Sequence, residues 1–498
     1  MDKTNAILKL ARDIATAWDW TAEFEQPATN RLDIYLPSVE QVVNVAAGFV
    51  VKQLGYLTAI TGLSCAHENQ APEALYHFCR DNAIITLRAQ ISPPLNGLPS
   101  LGQMIPNAKN LERHLHQMCA ASAENPWRYY FPIDEFHLEL KTENEKITAF
   151  TLAADAAPVA NPSLDWQQTL AILTQIYQAS PQAHRLAYCL GLEQLAEVDA
   201  PPRAQALRLV LAELERIAET IQMLGEIEKT AGFAPLAVTQ PEGAAPFLHW
   251  INQMGSTQAI IPGGVIAELS VSQADDILAA LHTLDTQLRR ALDQITNDSQ
   301  YQQRLQGKNK RSARQTDLMG VTGPLARAAG VPRDLRGDAP YAGYLNYSAN
   351  LVLESTGDLF AGLMVQLVEL GESIQLIRQV LHNLPAGSLA AQMPATIPAG
   401  EAISRVEAPQ GELFYFLKSD GSATPQKVSV YTPTACNFNS VLKFAVDAPL
   451  SDLPLVMSGC LPASILKNLS LHIQSLANDH DEITRWEQLL AYCSPDVV

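Results

Sequence analysis

Apolar residues recur at helical spacing along two long stretches of the chain. After Pro201-Pro202 they fall at Leu207, Val210, Leu214, Ile217, Ile221 and Leu224, and a second stripe runs through Leu363, Leu367, Leu370, Ile374 and Ile377. Such spacing gathers them on one side of a helix, so both stretches are expected to be core helices, the first opened by proline in its first turn. Nearer the N-terminus the pattern mixes periods. Helices are expected near Asn5 to Trp18 and Ser38 to Leu54, and apolar runs at Tyr56 to Leu63 and Ala83 to Ile91 read as strands. Pro93, Pro94 and Pro99 then fix φ and remove backbone donors, which ends the regular structure in a crossing loop. A polar stretch from Ser122 to Pro132 marks a boundary, beyond which Phe136 to Leu140 and Ile147 to Leu152 look like strands. Late in the chain, Leu413 to Leu417 and Lys427 to Tyr431 flank the turn Ser419-Asp420-Gly421 as a β hairpin. The expected fold is therefore α+β: a small α+β domain over residues 1–125, then a mainly helical domain over 126–498 carrying that hairpin.

Charge narrows the partners. With Lys+Arg 34 against Asp+Glu 52, the net charge of the 498 residues is -18, a field that repels phosphate backbones and anionic headgroups, so nucleic acid is not expected. The cationic cluster Lys308, Lys310, Arg311 and Arg314 lies in a polar stretch and reads as a solvated loop. The first residues alternate charge through an apolar pattern, which suits an amphipathic helix on the cytoplasmic side better than a signal peptide. No apolar run of about eighteen residues occurs, so no direct membrane span is expected and any membrane link must come through another polypeptide. The seven cysteines show none of the close spacings of zinc or cluster sites and read as reduced thiols, and His114-x-His116 points to different faces of a helix.

Four segments of the first domain carry a resemblance: LGYLTAITGLS (Leu54 to Ser64), LYHF (Leu75 to Phe78), ITLRAQI (Ile85 to Ile91) and LPSLGQMIPNAKNLER (Leu98 to Arg113). In this order they resemble the smaller hydrophilic subunit of complex I, which formate hydrogenlyase-type (group 4) hydrogenases fuse to their large subunit. The chain departs from that family at Glu112-Arg113-His114, Gln117 and Ala120. Further on, LEQLAEVDAPPRAQALRLVLAELERI, TGPLARAAGVPRDLRGDAPYAGY and VEAPQGELFYFLKSDG resemble the nickel-iron hydrogenase large subunit and its complex I descendant. The densest match places Gly323, Pro324, Arg327, Gly330, Asp334, Arg336, Asp338, Pro340, Tyr341 and Tyr344 at the family's spacing; Glu193 and Glu407 match as well.

That family holds nickel and iron with two C-x-x-C pairs, because soft thiolates fix these metals. By the resemblance, the first pair falls on Tyr177-Gln178-Ala179-Ser180-Pro181 and the second shrinks to Cys460 within Ser458 to Ser464, so Tyr177, Ser180 and Cys460 occupy degenerate former metal positions. The quinone-binding histidine turn of complex I is not reproduced either. The nearest stretches are FPIDEFHLEL and AAPVANPSLDW, where His137 reads as a structural strand histidine. The family's E-R-x-x-N-H becomes Glu215-Arg216-Ile217-Ala218-Glu219-Thr220, and Gly362 and Gln366 stand where arginines are expected, although Glu369 and Ser373 remain.

The resemblance therefore implies a large-subunit homologue with no cofactor of its own and no catalytic residue, peripheral on the cytoplasmic side of a membrane complex. It would work beside an iron-sulfur small subunit, where a cluster is expected, and integral membrane subunits. Arg327, Asp334, Arg336, Asp338, Tyr341, Tyr344, Glu193 and Glu407 would serve coupling or interface roles, or form a structural ion-pair network. Two other readings stay open. One is a reductase of quinone or another small acceptor, with Tyr177 and His184 as its nearest polar groups; the other is a non-redox subunit of an ion or inorganic-carbon transport assembly.

Overall fold

The computed structural model describes every residue except 1, 19–21, 64–71, 92–98, 121–128, 131, 157–163, 240, 256–257, 476–484 and 494–498. Most of the proline loop, the boundary between residues 125 and 126 and most of AAPVANPSLDW lie outside the described residues.

The first part is a five-stranded mixed sheet in the order Glu23–Ala28, Arg31–Leu36, Ala83–Gln90, Glu73–Arg80, Tyr56–Leu63. Helices Lys3–Ala17 and Val39–Val51 pack on it through Ile7, Leu8, Ala11, Val42, Val45 and Phe49. The same core takes in Ile403, Phe414, Phe416 and Tyr431 from far along the chain, and buried His77 sits 5.1 Å from the Phe414 ring. Three of the five strands have no simple apolar signature. In Arg31–Leu36 the reason is visible: Arg31 and Asp33 are buried but pair with each other at 2.6 Å, and Arg31 reaches Glu401 at 2.9 Å. Charges that satisfy one another inside a sheet erase the hydrophobic alternation that marks a strand.

The late hairpin is larger than its sequence signature. Gly400–Ala408 pairs antiparallel with Gly411–Ser419, which pairs with Lys427–Tyr431, and Tyr129–Tyr130 adds a parallel fourth strand. A separate three-stranded sheet joins Ser470–Ser475, Pro132–Glu143 and Lys146–Ala156.

Helices Pro181–Ala196, Pro202–Ala231, Val271–Asn297 and Leu359–His382 form the bulk of the second part. Proline opens the thirty-residue Pro202–Ala231 as expected, and Gly232 ends it in the left-handed conformation that glycine adopts without strain. This helix is buried nearly all round, including Arg208, Glu213, Glu215, Arg216, Glu219 and Glu228. Helix Leu359–His382 is long and apolar enough to cross a membrane by length and composition, but 67% of its most apolar window is buried inside the fold, where it packs on Pro202–Ala231. The cationic cluster is not uniformly solvated: Lys308 and Arg314 reach solvent, whereas Arg311 is 1% exposed. Burial pulls the Arg311 guanidinium down to about 10.

Candidate functional site

The central helix Pro202–Ala231 presents charge in two directions. Toward the retained segment it offers Glu213 and Arg216; a turn later, Glu215 and Glu219 face the start of helix Pro181–Ala196. Two neighbouring regions result.

The first is an ion network. Short helix Pro324–Ala328 carries Arg327, which is fully buried and clamps both oxygens of Glu369, contacts Glu407 Oε1 at 2.8 Å and donates to the Arg333 carbonyl at 2.8 Å. Arg336 grips Asp334 through Nε at 3.0 Å and Nη2 at 2.7 Å, and approaches Glu213 at 3.4 Å. Glu213 also accepts from the Tyr344 hydroxyl and from Ser373 at 2.5 Å. Arg216 spans from Glu213 to the carbonyls of Glu407 and Ala408, and the Tyr341 hydroxyl accepts the Glu407 N–H at 2.9 Å. Arg216, Arg327 and Arg336 thus face Glu213, Asp334, Glu369 and Glu407, three cations against four carboxylates.

That excess of one anion fits the directions of titration. Burial alone would raise Glu213, but Arg216 and Arg336 hold it below its usual range; Asp334 is likewise depressed against burial by Arg336 and Arg327. Glu407 goes the other way, raised by burial despite Arg327.

The retained residues therefore gather, with two departures. Asp338 is not paired with Arg336; its Oδ2 accepts the Asp334 N–H at 2.9 Å, and it lines a large cavity. Glu193 forms a second cluster: Arg208 grips it at 2.5 and 3.0 Å, Gly263 donates to it at 2.7 Å, and Arg208 also donates to the carbonyls of Ile261 and Gly264. Arg327 and Arg336 spend their charge inside the chain, so any contact they influence is shaped from within.

The second region includes Ser180 and Cys460, two of the positions where the resemblance led us to expect degenerate metal ligands. Ser180 ends the loop before helix Pro181–Ala196, whose proline sits in the first turn. Its hydroxyl donates to Glu219 Oε2 at 3.0 Å, and Gln410 Nε2 donates to the same oxygen at 2.8 Å. Glu219 Oε1 and Gln366 Oε1 are buried without a protein hydrogen-bond partner. Thr220, Met223, Gln366, Gln410, Gly459 and Cys460 enclose a pocket of about 10 Å³, room for about one water. Glu215 accepts the backbone N–H groups of Gln182 and Ala183 at 2.7 and 2.9 Å, a helix-start position that favours the anion. Burial outweighs them and pushes Glu215 up to about 8, while burial and the Glu215 charge raise Glu219 further from its ordinary value.

Cys460 lines this pocket; Ser180 does not, but its hydroxyl donates to Gln410 Oε1 at 3.3 Å, and Gln410 does line it. Tyr177 does not join them. Its ring stacks on His184 at 3.8 Å, and His184 meets the Tyr415 hydroxyl at 2.7 Å, with burial holding the imidazole down to about 3 and so neutral. His137 is exposed on its strand. A nickel-iron centre does not fit these donors: Cys460 is the pocket's single thiol, burial pushes it up to about 12, and among the described residues no group of three His, Cys, Asp or Glu could hold a metal.

The network partners Glu213, Arg216 and Glu369, and the pocket groups Glu219 and Gln410, were not among the expected site residues. One signal was readable: four charges, Glu213, Glu215, Arg216 and Glu219, inside a helix otherwise marked by its apolar stripe. A helix that buries such charges must pair or neutralise them.

Known proteins share sequence with this chain. Residues 253–397 and 389–462 match the family of the respiratory-chain NADH dehydrogenase 49 kDa subunit. A carbon monoxide-induced hydrogenase from Rhodospirillum rubrum is 32% identical over 305 residues, covering 59% of this chain and 83% of that protein. An NADH-quinone oxidoreductase subunit from Solibacter usitatus is 31% identical over 278 residues, 55% of this chain and 75% of that protein. The corresponding subunit from Geotalea uraniireducens is 28% identical over 323 residues, with 59% and 83% covered.

Proposed function

This chain belongs to the family of the complex I 49 kDa subunit and its hydrogenase relatives, and on that premise we propose that it is a member without a nickel-iron centre, acting inside a membrane-bound complex. In this reading it is peripheral, on the cytoplasmic side, and is held to the membrane by integral subunits. An iron-sulfur small subunit carries the cluster, and the chain scaffolds the assembly or couples its electron transfer to ion movement.

The filled pocket carries the reading. Where the resemblance puts thiolates, Thr220, Met223, Gln366, Gln410 and a lone Cys460 leave only about 10 Å³, and Ser180 and Glu219 bond to Gln410 beside it. That space also speaks against the acceptor-reductase alternative at this position, since a quinone ring needs a far larger cleft, and the Tyr177–His184 stack already fills its own surroundings.

Isolation from the native host in mild detergent, with every copurified polypeptide identified, tests the proposal. The expected result is a complex containing an iron-sulfur protein and integral membrane proteins. A membrane-free monodisperse monomer would reject it, and a membrane complex lacking any cluster protein would favour the transport alternative.

A further inference from the structure

Between the N-terminal sheet and the retained segment lies a cavity of about 1010 Å³, a different scale from the pocket beside Cys460. One wall comes from Val50, Val51, Tyr56 and Arg80, the other from Arg314, Leu318, Arg333, Asp338 and Leu351. We propose that this cavity is the seat of an acidic, aliphatic segment of another subunit; the inference rests on the functional reading above and gives it a surface.

The charge balance at the walls points to an acidic occupant. Lys3 is neutralised by Asp81 at 2.8 Å and Arg333 by Asp317 at 2.5 Å. Arg333 is further pinned with its guanidinium 3.4 Å over the Tyr56 ring. Arg80 donates only to the Gln53 carbonyl, and Arg314 has no partner among the described residues. Both are exposed. Two guanidiniums without carboxylates outnumber the one further wall carboxylate, Asp338, which burial raises toward its neutral form, so on a chain whose net charge is -18 they leave a local positive excess that selects carboxylates.

The apolar surface points to a polypeptide. Val51 is 77% exposed and Leu351 is 48% exposed, both on the cavity lining, and the loop that carries Leu351 also exposes Leu345 and Leu353 at 60% and 46%. Leu345 and Leu353 do not line the cavity, so a small molecule inside it would leave them in water, whereas a polypeptide continuing past Leu351 can cover them as well. The underlying wall is rigid. Glu412 is gripped by Arg405 at 2.7 Å and accepts from the Tyr56 hydroxyl, so the two parts of the chain meet the occupant as one preformed surface.

The test uses the complex purified from the native host. Arg80→Glu with Arg314→Glu should reduce recovery of at least one subunit about tenfold, and Val51→Asp with Leu351→Asp should do the same, while the melting temperature of the variant chain stays that of the wild type. Arg290→Glu, a single charge reversal on the exposed face of helix Val271–Asn297, should lose nothing. A photo-crosslinking side chain at Leu351 should yield an adduct with the same subunit. Full recovery from the double charge reversal, an equal loss from Arg290→Glu, or a copurified lipid with no polypeptide adduct would each overturn the docking site and leave membership of the complex standing. A wild-type chain that copurifies with nothing would instead overturn both readings.

Discussion

Glu213 and Glu219 stand on the same buried helix and meet opposite solutions. Glu213 sits between Arg216 and Arg336 and is held ionised, with Tyr344 and Ser373 filling its remaining acceptor sites. Among the described residues no cation forms an ion pair with Glu219. It takes two neutral donors, Ser180 and Gln410, keeps one oxygen without a protein partner, and is driven toward its protonated form. The charges around Glu213 thus compensate one another, whereas the surroundings of Glu219 are compact and electrically quiet. A metal site needs preorganised anionic donors; a protonatable carboxyl, an amide and a hydroxyl fill the interior without offering that set.

The contrast breaks most visibly in the ion network. Arg336→Ala would leave Asp334 with Arg327 alone, 3.7 Å away, and Glu213 with Arg216 alone, and Arg327→Met would strand Glu369 and Glu407. Each should cost about 3 to 5 kcal/mol in denaturant unfolding of the isolated chain, the usual loss when one partner of a buried pair is removed. A loss of about 0 to 1 kcal/mol, typical of solvated pairs, would contradict the burial of these arginines.

A smaller effect tests the quiet side. Glu215 has a folded value near 8 against an ordinary 4.5, so its contribution to stability is fully present below about pH 4.5 and is lost as pH rises through 8. Unfolding measured across that window should show the wild type losing stability toward the alkaline end, with Glu215→Gln flattening the slope. An unchanged slope in the variant would show that Glu215 is already ionised in the folded chain.

Smallest is the expected response at Cys460. Buried and raised to about 12, its thiol should react with an aromatic disulfide reagent only as fast as the chain opens. Cys460→Ala should cost about 1 kcal/mol. Rapid labelling of Cys460 in the folded chain would mean that the pocket is open.

What could be read in advance follows the same division. The two core helices announced themselves because Leu207 to Leu224 and Leu363 to Ile377 repeat with the helical period, and the structure places them in mutual contact. Arg31–Leu36 escaped because Arg31 and Asp33 neutralise each other at buried positions, and Arg311 looked solvated because its charged neighbours are. In the site, Arg327, Asp334, Arg336, Tyr341, Tyr344 and Glu407 were legible as one motif plus one distant residue. Their partners Glu213, Arg216 and Glu369 were not, since pairing across 42 to 123 residues has no local periodicity. The pocket was legible only as missing cysteines; that Ser180 and Glu219 bond Gln410 at its wall depends on three separate elements meeting.

Metal content decides most directly whether this chain holds a nickel-iron centre. Nickel and iron should be quantified by mass spectrometry on the protein separated from its complex under non-denaturing conditions. The expected result is no stoichiometric nickel or iron retained by this chain, while iron stays with a partner; one nickel per chain after ordinary purification would contradict it.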